Sequence, residues 1–162
     1  MSNINAYLET PSEVSSEGAS TSLNCLLASV FTLYIKTKNF HWHLSGPHFR
    51  DYHLMFDEQA TQLFDITDDI AERVRKIGGL TIHSVKEIYS LSHIKDNTDT
   101  FVTPADMLSE LLADNQILLQ AMRTSHQTCE KNKDFGTTAM LEVWMDQAER
   151  RIWFLFEASR EL

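Results

Sequence analysis

Glycine and proline are the residues a helix interior tolerates least. The five glycines and three prolines of this 162-residue chain fall almost entirely at the ends of long periodic stretches. Leu23, Leu26, Leu27, Val30, Tyr34 and Lys38 recur at three- and four-residue spacing, predicting a first helix that runs to about Leu44, where Gly46-Pro47 stops it. A second helix carries Phe49, Tyr52, Phe56, Leu63, Ile70, Val74 and Ile77 and ends at Gly78-Gly79. Thr103-Pro104, followed by Asp106, supplies an N-cap and a first-turn proline for a third, whose stripe is Leu108, Leu111, Leu112, Leu118, Leu119 and Met122. The fourth follows Lys133-Asp134-Phe135-Gly136 and presents Leu141, Trp144, Ala148, Ile152 and Leu155. Four such helices bury their stripes against one another as a bundle.

The connections narrow the topology. Short turns join helices one and two, and helices three and four, so each pair is antiparallel. About 25 residues separate helices two and three, long for a structureless loop. Ser84 and Glu87 form a capping box for a small helix inside that stretch, with Val85, Ile88 and Tyr89 apolar. A crossover of that length travels the bundle and gives an up-down-down-up order, the ferritin-like arrangement. An insertion that binds a partner is the alternative. The fold expected is all-α: a polar, acidic, flexible arm over residues 1–20, then a ferritin-like four-helix bundle over residues 21–162, with a short helix in the long crossover.

Hydrophobic content of 43% and mean hydropathy of −0.26 belong to a globular protein, and no apolar run approaches the ~20 residues that span a bilayer. The start, Met1-Ser2-Asn3-Ile4-Asn5, lacks the features of a signal peptide. Cys25 and Cys129 have no zinc spacing and read as reduced thiols, so a cytoplasmic location is expected. A formal net charge of −9 argues against a nucleic-acid binder.

On the second helix, His53, Asp57, Asp68 and Glu72 are separated by steps of four, eleven and four. At ~100° per residue each step returns to within ~40° of the last direction, so all four share one face. At ~1.5 Å rise per residue, however, Asp57 and Asp68 stand about 16 Å apart along the axis, too far to share one ion within one chain. An antiparallel copy related by a two-fold axis near residues 62 and 63 lays Asp68 and Glu72 of one subunit opposite His53 and Asp57 of the other. The result is two equivalent shared sites. The plainer reading is a set of solvated helix pairs, as for Asp69–Arg73 and Glu72–Lys76. No histidine has a glutamate three residues before it, so the Glu-x-x-His pairs of an intrasubunit di-iron centre are missing.

The run His41-Trp42-His43-Leu44-Ser45-Gly46, then His53 and Asp57, then Asp68-Asp69-Ile70-Ala71-Glu72-Arg73, resembles the Dps family, the dodecameric miniferritins. The similarity spans about Thr21 to Leu162. It implies ferroxidase ligands at His41, His53 and Asp57 from one subunit and at Asp68 and Glu72 from its two-fold mate. It also implies a hollow twelve-subunit shell built from two-fold dimers, which oxidises two Fe(II) ions per intersubunit site, preferentially with hydrogen peroxide, and stores the ferric mineral. Trp42 becomes a redox-active neighbour of the site, or an aromatic contact at the dimer interface. Glu72 is placed to bridge two ions, and zinc competes with Fe(II) for such nitrogen and oxygen ligands.

His43 points to another face of its helix from His41. His48, His83, His93 and His126 have no partners at ligand spacing, and Trp144 and Trp153 read as core or contact residues. Two positions depart from the family pattern. Ala139 stands where an acidic residue lines the three-fold iron pore, leaving Glu130, Asp134, Glu142 and Asp146 to supply the field. Tyr52 stands where a smaller aliphatic is usual. Direct DNA binding is not expected, because no Lys or Arg precedes Lys36, Glu9, Glu13 and Glu17 make the arm acidic, and no basic tail follows the last helix. DNA compaction and a non-catalytic, metal-stabilised helical assembly remain the other functional readings.

Overall fold

The computed structural model describes residues 16–160. Five helices follow in order: α1 (Ser16–His43), α2 (Phe49–Lys76), α3 (Val85–Leu91), α4 (Pro104–Lys131) and α5 (Phe135–Ser159). Helix α1 therefore starts inside the expected arm, and its Ala19 and Ser20 are already buried; the remainder of that arm lies outside the described residues. The stops act as their chemistry dictates. Gly46 and Gly78 adopt φ of 110° and 86°, conformations open to glycine, and each turns the chain out of a helix. Thr103 caps α4 by accepting the Asp106 N–H, and Asp134 caps α5 by accepting the Thr137 N–H.

Cross-helix partners fix the directions. Asn24 of α1 reaches Leu80 just past α2, while His41 near the end of α1 meets His53 near the start of α2, so these two are antiparallel. Ser22 pairs with Ser125 and Lys36 with Asp114, so α1 and α4 are antiparallel as well. Tyr52 reaches Ala158 and Arg73 reaches Thr137, which sets α5 antiparallel to α2. The order is up-down-down-up, as the length of the crossover required.

The expected stripes form the core. Leu23, Leu26, Leu27 and Val30 of α1 pack with Phe56, Leu63, Ile70 and Val74 of α2, Leu108, Leu111 and Leu118 of α4, and Leu141, Ala148 and Leu155 of α5. Sealing a side chain of this size contributes roughly 1.5–3 kcal/mol, so the interior dominates stability. Four details depart from expectation. By length and composition α1 is apolar enough to cross a membrane, yet its stripe lies against other helices and its Lys36 sits in a buried pair with Asp114 at 2.7 Å. On α5 Arg151 is sealed along with Leu141, Ala148 and Leu155, while Ile152 of the expected stripe is only partly covered. Glu87 accepts the N–H of His83 rather than that of the N-cap Ser84, so the capping box is shifted by one residue. Arg73 turns from Asp69 to Asp134 at 2.5 Å, bracing the end of α2 against the start of α5.

Candidate metal centre

The turn between α1 and α2 is short, so residues equidistant from Pro47 face each other, and this registers His41 with His53. Their rings stack, with centroids 3.7 Å apart and planes 20° from parallel, and Phe49 stacks on the outer side of His53. Each imidazole uses Nδ1 on the other residue's backbone carbonyl, His41 on His53 at 2.8 Å and His53 on His41 at 2.9 Å. A carbonyl only accepts, so each Nδ1 carries the proton and each neutral ring keeps a free lone pair on Nε2. This is the way a protein fixes a histidine as a metal ligand, through a second hydrogen bond that sets its tautomer and aim.

Asp57 completes the group, with its Oδ1 3.8 Å from the His41 Nε2. The same oxygen accepts from the Lys38 ammonium at 2.7 Å. That hydrogen bond, reinforced by the nearby charge, holds the Asp57 carboxyl below its usual value against a smaller opposing effect of burial. Lys38 also lies 5.8 Å over the ring of Trp42, which is exposed. Periodicity placed Lys38 in the α1 pattern without a role in this cluster; its register across the turn from Asp57 is the signal that finds it.

Asp68 and Glu72 are not brought to this cluster. Both are exposed on the same helix further along; Glu72 pairs with Lys76 at 2.9 Å, as its spacing implied. Asp68 borders an open cavity of about 500 Å³ walled by Phe31, Phe64 and Ala71. Among the described residues, no group of three His, Cys, Asp or Glu side chains converges closely enough to hold a metal ion. His41, His53 and Asp57 lie together without forming a metal site by themselves: two imidazoles held through Nδ1 and a carboxylate bonded to Lys38.

The remaining histidines are more engaged than their spacing showed. His126 meets Glu142 across α4 and α5 at 3.1 Å, and His83 meets Glu87 at 3.5 Å. His43 is exposed and turned back on the Asn39 carbonyl, away from His41. Ala139 is exposed near the start of α5, Trp144 is buried and Trp153 is exposed.

A four-helix bundle with one long crossover and imidazole–carboxylate donors defines the ferritin-like class, and the ferritin-like domain model matches residues 21–161. The chain is 31% identical over 140 residues to an uncharacterized low temperature-induced protein of Nostoc, covering 86% of this chain and 78% of that one. It is 31% identical over 133 residues to a DNA protection during starvation protein of Brevibacillus brevis, covering 82% and 89%. Among solved structures it matches a Dps protein from Vibrio cholerae, described as a member of a broad superfamily of ferritin-like diiron-carboxylate proteins. That match has a TM-score of 0.83 and 27% identity, and covers 88% of this chain and 89% of that one. The chain belongs to the Dps family of ferritin-like proteins.

Proposed function

We propose that this protein is an iron-storing ferroxidase whose substrate, Fe(II), binds across a two-fold subunit contact. One observation supports this most directly. His41 and His53 are locked in the tautomer that frees Nε2, beside a carboxylate, in a set that its own chain leaves incomplete. A second copy laid antiparallel on α2 supplies Asp68 and Glu72, and the exposed Phe64 and the apolar wall beside Asp68 suit a subunit contact. Imidazole with carboxylate suits Fe(II), and so small a set leaves positions open for an oxidant and a second ion.

In this reading Asp68 and Glu72 are the principal carboxylates, with Glu72 bridging two ions. His41 anchors from the opposite subunit, and His53 and Asp57 complete the second position. The Lys38 ammonium, already on Asp57, yields that carboxylate to the incoming cation. Hydrogen peroxide is the preferred oxidant. Two Fe(II) ions surrender one electron each, the O–O bond breaks, and two protons complete two waters, so no hydroxyl radical is released. Trp42 is near enough to this chemistry to take up a stray oxidising equivalent, and packing at the dimer contact is its other role. The ferric product is stored inside a shell of twelve subunits in the cytoplasm, and DNA is protected by removal of iron and peroxide rather than by binding. Zn(II) competes at the same donors, because the Irving–Williams order favours it over Fe(II).

The test is complementation. Asp57→Ala and Glu72→Ala assemblies each lose rapid iron oxidation. Co-assembled subunits recover part of it, since a mixed dimer rebuilds one of its two sites. Proven co-assembly with no recovery refutes the shared site.

A further inference from the structure

Helices α1 and α4 leave an open groove between them, about 360 Å³ in volume. Its floor includes Leu26 and Ser125, both buried, and the half-buried Cys25. Ile117, 43% exposed, stands on its rim. His93 of the crossover borders one side, its backbone N–H held on the Ser29 Oγ at 3.0 Å. Ile117 is the one large apolar lining residue that is exposed, too little for a second copy, since a stable contact takes about 800 Å² from each partner. Gly18 lies beside Thr128 and Ser22 bonds Ser125, so the groove opens close to the start of α1 and runs away from it between α1 and α4.

Residues 1–15 precede α1. Within them Ile4, Ala6 and Leu8 are apolar, and the intervening Asn5 and Tyr7 carry polar groups, as does Glu9. In an extended chain the first three share one face. We propose that residues 4–8 dock in this groove of their own chain in extended form, with Leu8 over Cys25 and Ile4 beside Ile117. The lengths agree. Cys25 stands about 14 Å along α1 from Ser16, and the chain from Leu8 to Ser16 spans about 26 Å, enough to reverse and return. The Lys36–Asp114 pair sets Ile117 opposite Leu33, about 12 Å beyond Cys25. From Leu8 to Ile4 an extended chain covers about 13 Å, whereas a helix covers about 6 Å and falls short. Pro11 disfavours helical backbone at Thr10 and separates the segment from α1. Docking covers Ile117 and shields the Cys25 thiol from oxidants.

The full-length, metal-free assembly carrying Leu8→Cys tests the placement. Oxidised glutathione should join the introduced thiol to Cys25 within one chain, in roughly tenfold greater yield than for Glu13→Cys, read by peptide mass spectrometry. From Ser16, position 13 reaches only about 10 Å, short of Cys25. Assemblies mixed from isotopically labelled and unlabelled subunits show which chains are joined. Equal yields from the two positions, or a bond formed between chains, would overturn the proposal. With the native cysteines alone, Ile4→Asp together with Leu8→Asp should speed alkylation of Cys25 by N-ethylmaleimide at least about fivefold, because carboxylates do not stay in an apolar groove. The reaction is followed at mildly alkaline pH, since burial raises the Cys25 thiol, and the fully buried Cys129 reports whether the fold is intact. Cys25 alkylated at the parent's rate, with Cys129 silent in both, refutes the docked segment.

Discussion

In the proposed site Lys38 competes with the incoming cation for Asp57, and its removal makes the sharpest test of the donor set. Its Nζ lies 2.7 Å from the Asp57 Oδ1, in a pair whose carboxylate side chain is 49% exposed. An exposed pair of this kind is worth about 0.2–1 kcal/mol. An incoming divalent ion that takes Asp57 must displace the ammonium and so loses that amount. Lys38→Met keeps most of the stem that packs beside Trp42 and removes only the charge. Affinity for a divalent probe such as Co(II) should therefore rise by about 1.4-fold to fivefold. Relief of repulsion between the ammonium and the ion acts in the same direction and is screened by salt. Protonation does not intervene at neutral pH, because Lys38 pushes the Asp57 carboxyl below an already low value and the carboxylate stays ionised without it. Calorimetric titration of metal-free assemblies at low and high salt reads the effect, and the gain should shrink as salt rises. Weaker binding in Lys38→Met, with assembly intact, would show that Lys38 positions Asp57 rather than competing for it, and unchanged binding would remove Asp57 from the site.

Other outcomes follow from individual side chains. His41→Ala should slow peroxide-driven iron oxidation strongly and His43→Ala hardly at all, since only the first aims a free nitrogen at Asp57; stopped-flow absorbance checks both, and the opposite result refutes the assignment. Burial alone would raise the Asp134 carboxyl, but the Thr137 hydroxyl and N–H and then Arg73 hold it below its usual value. Its stabilisation is therefore complete above the ordinary aspartate range and is lost as pH falls through the lower folded value, so Asp134→Asn should cost about 1.5–3 kcal/mol at pH 7 and nothing in strong acid by denaturant titration. Lys36→Met leaves Asp114 buried without its 2.7 Å partner and should cost about 3 kcal/mol, most of which Lys36→Met with Asp114→Leu restores. With a net charge of −9, the metal-free assembly should not shift duplex DNA at moderate salt and neutral pH, and a salt-sensitive gel shift would reveal a basic patch.

The architecture was legible because helix boundaries are local chemistry. Gly46, Gly78 and Thr103 each act at the position where their conformational or capping preference is expressed. Partner choice across helices was not legible in the same way. Arg73 has an acid at helical spacing in Asp69, yet Asp134 takes it because the start of α5 brings a partly buried carboxylate within 2.5 Å. His126 finds Glu142 only through the α4–α5 contact, sixteen residues away in the chain. Arg151 left a readable trace, a charge within the α5 stripe beside Ile152, but periodicity alone does not say which of the two neighbours turns inward.

The candidate metal donors divide along the same line. Their common face follows from helix geometry, and the structure keeps His53 and Asp57 near one end of α2 with Asp68 and Glu72 further along. A straight helix cannot fold back to close that gap, so any ion held by all four needs a second α2. The pairing of His41 with His53 needed the α1–α2 turn as well, which converts two distant positions into stacked rings with reciprocal backbone bonds. Those two hydrogen bonds restrain both imidazoles within the single chain. Each ring is oriented by the other's backbone carbonyl, so turning either imidazole breaks its own Nδ1 hydrogen bond. In the proposed site, association of two copies would bring carboxylates to imidazoles restrained in advance, so the proposed chemistry is a property of assembly rather than of the single chain.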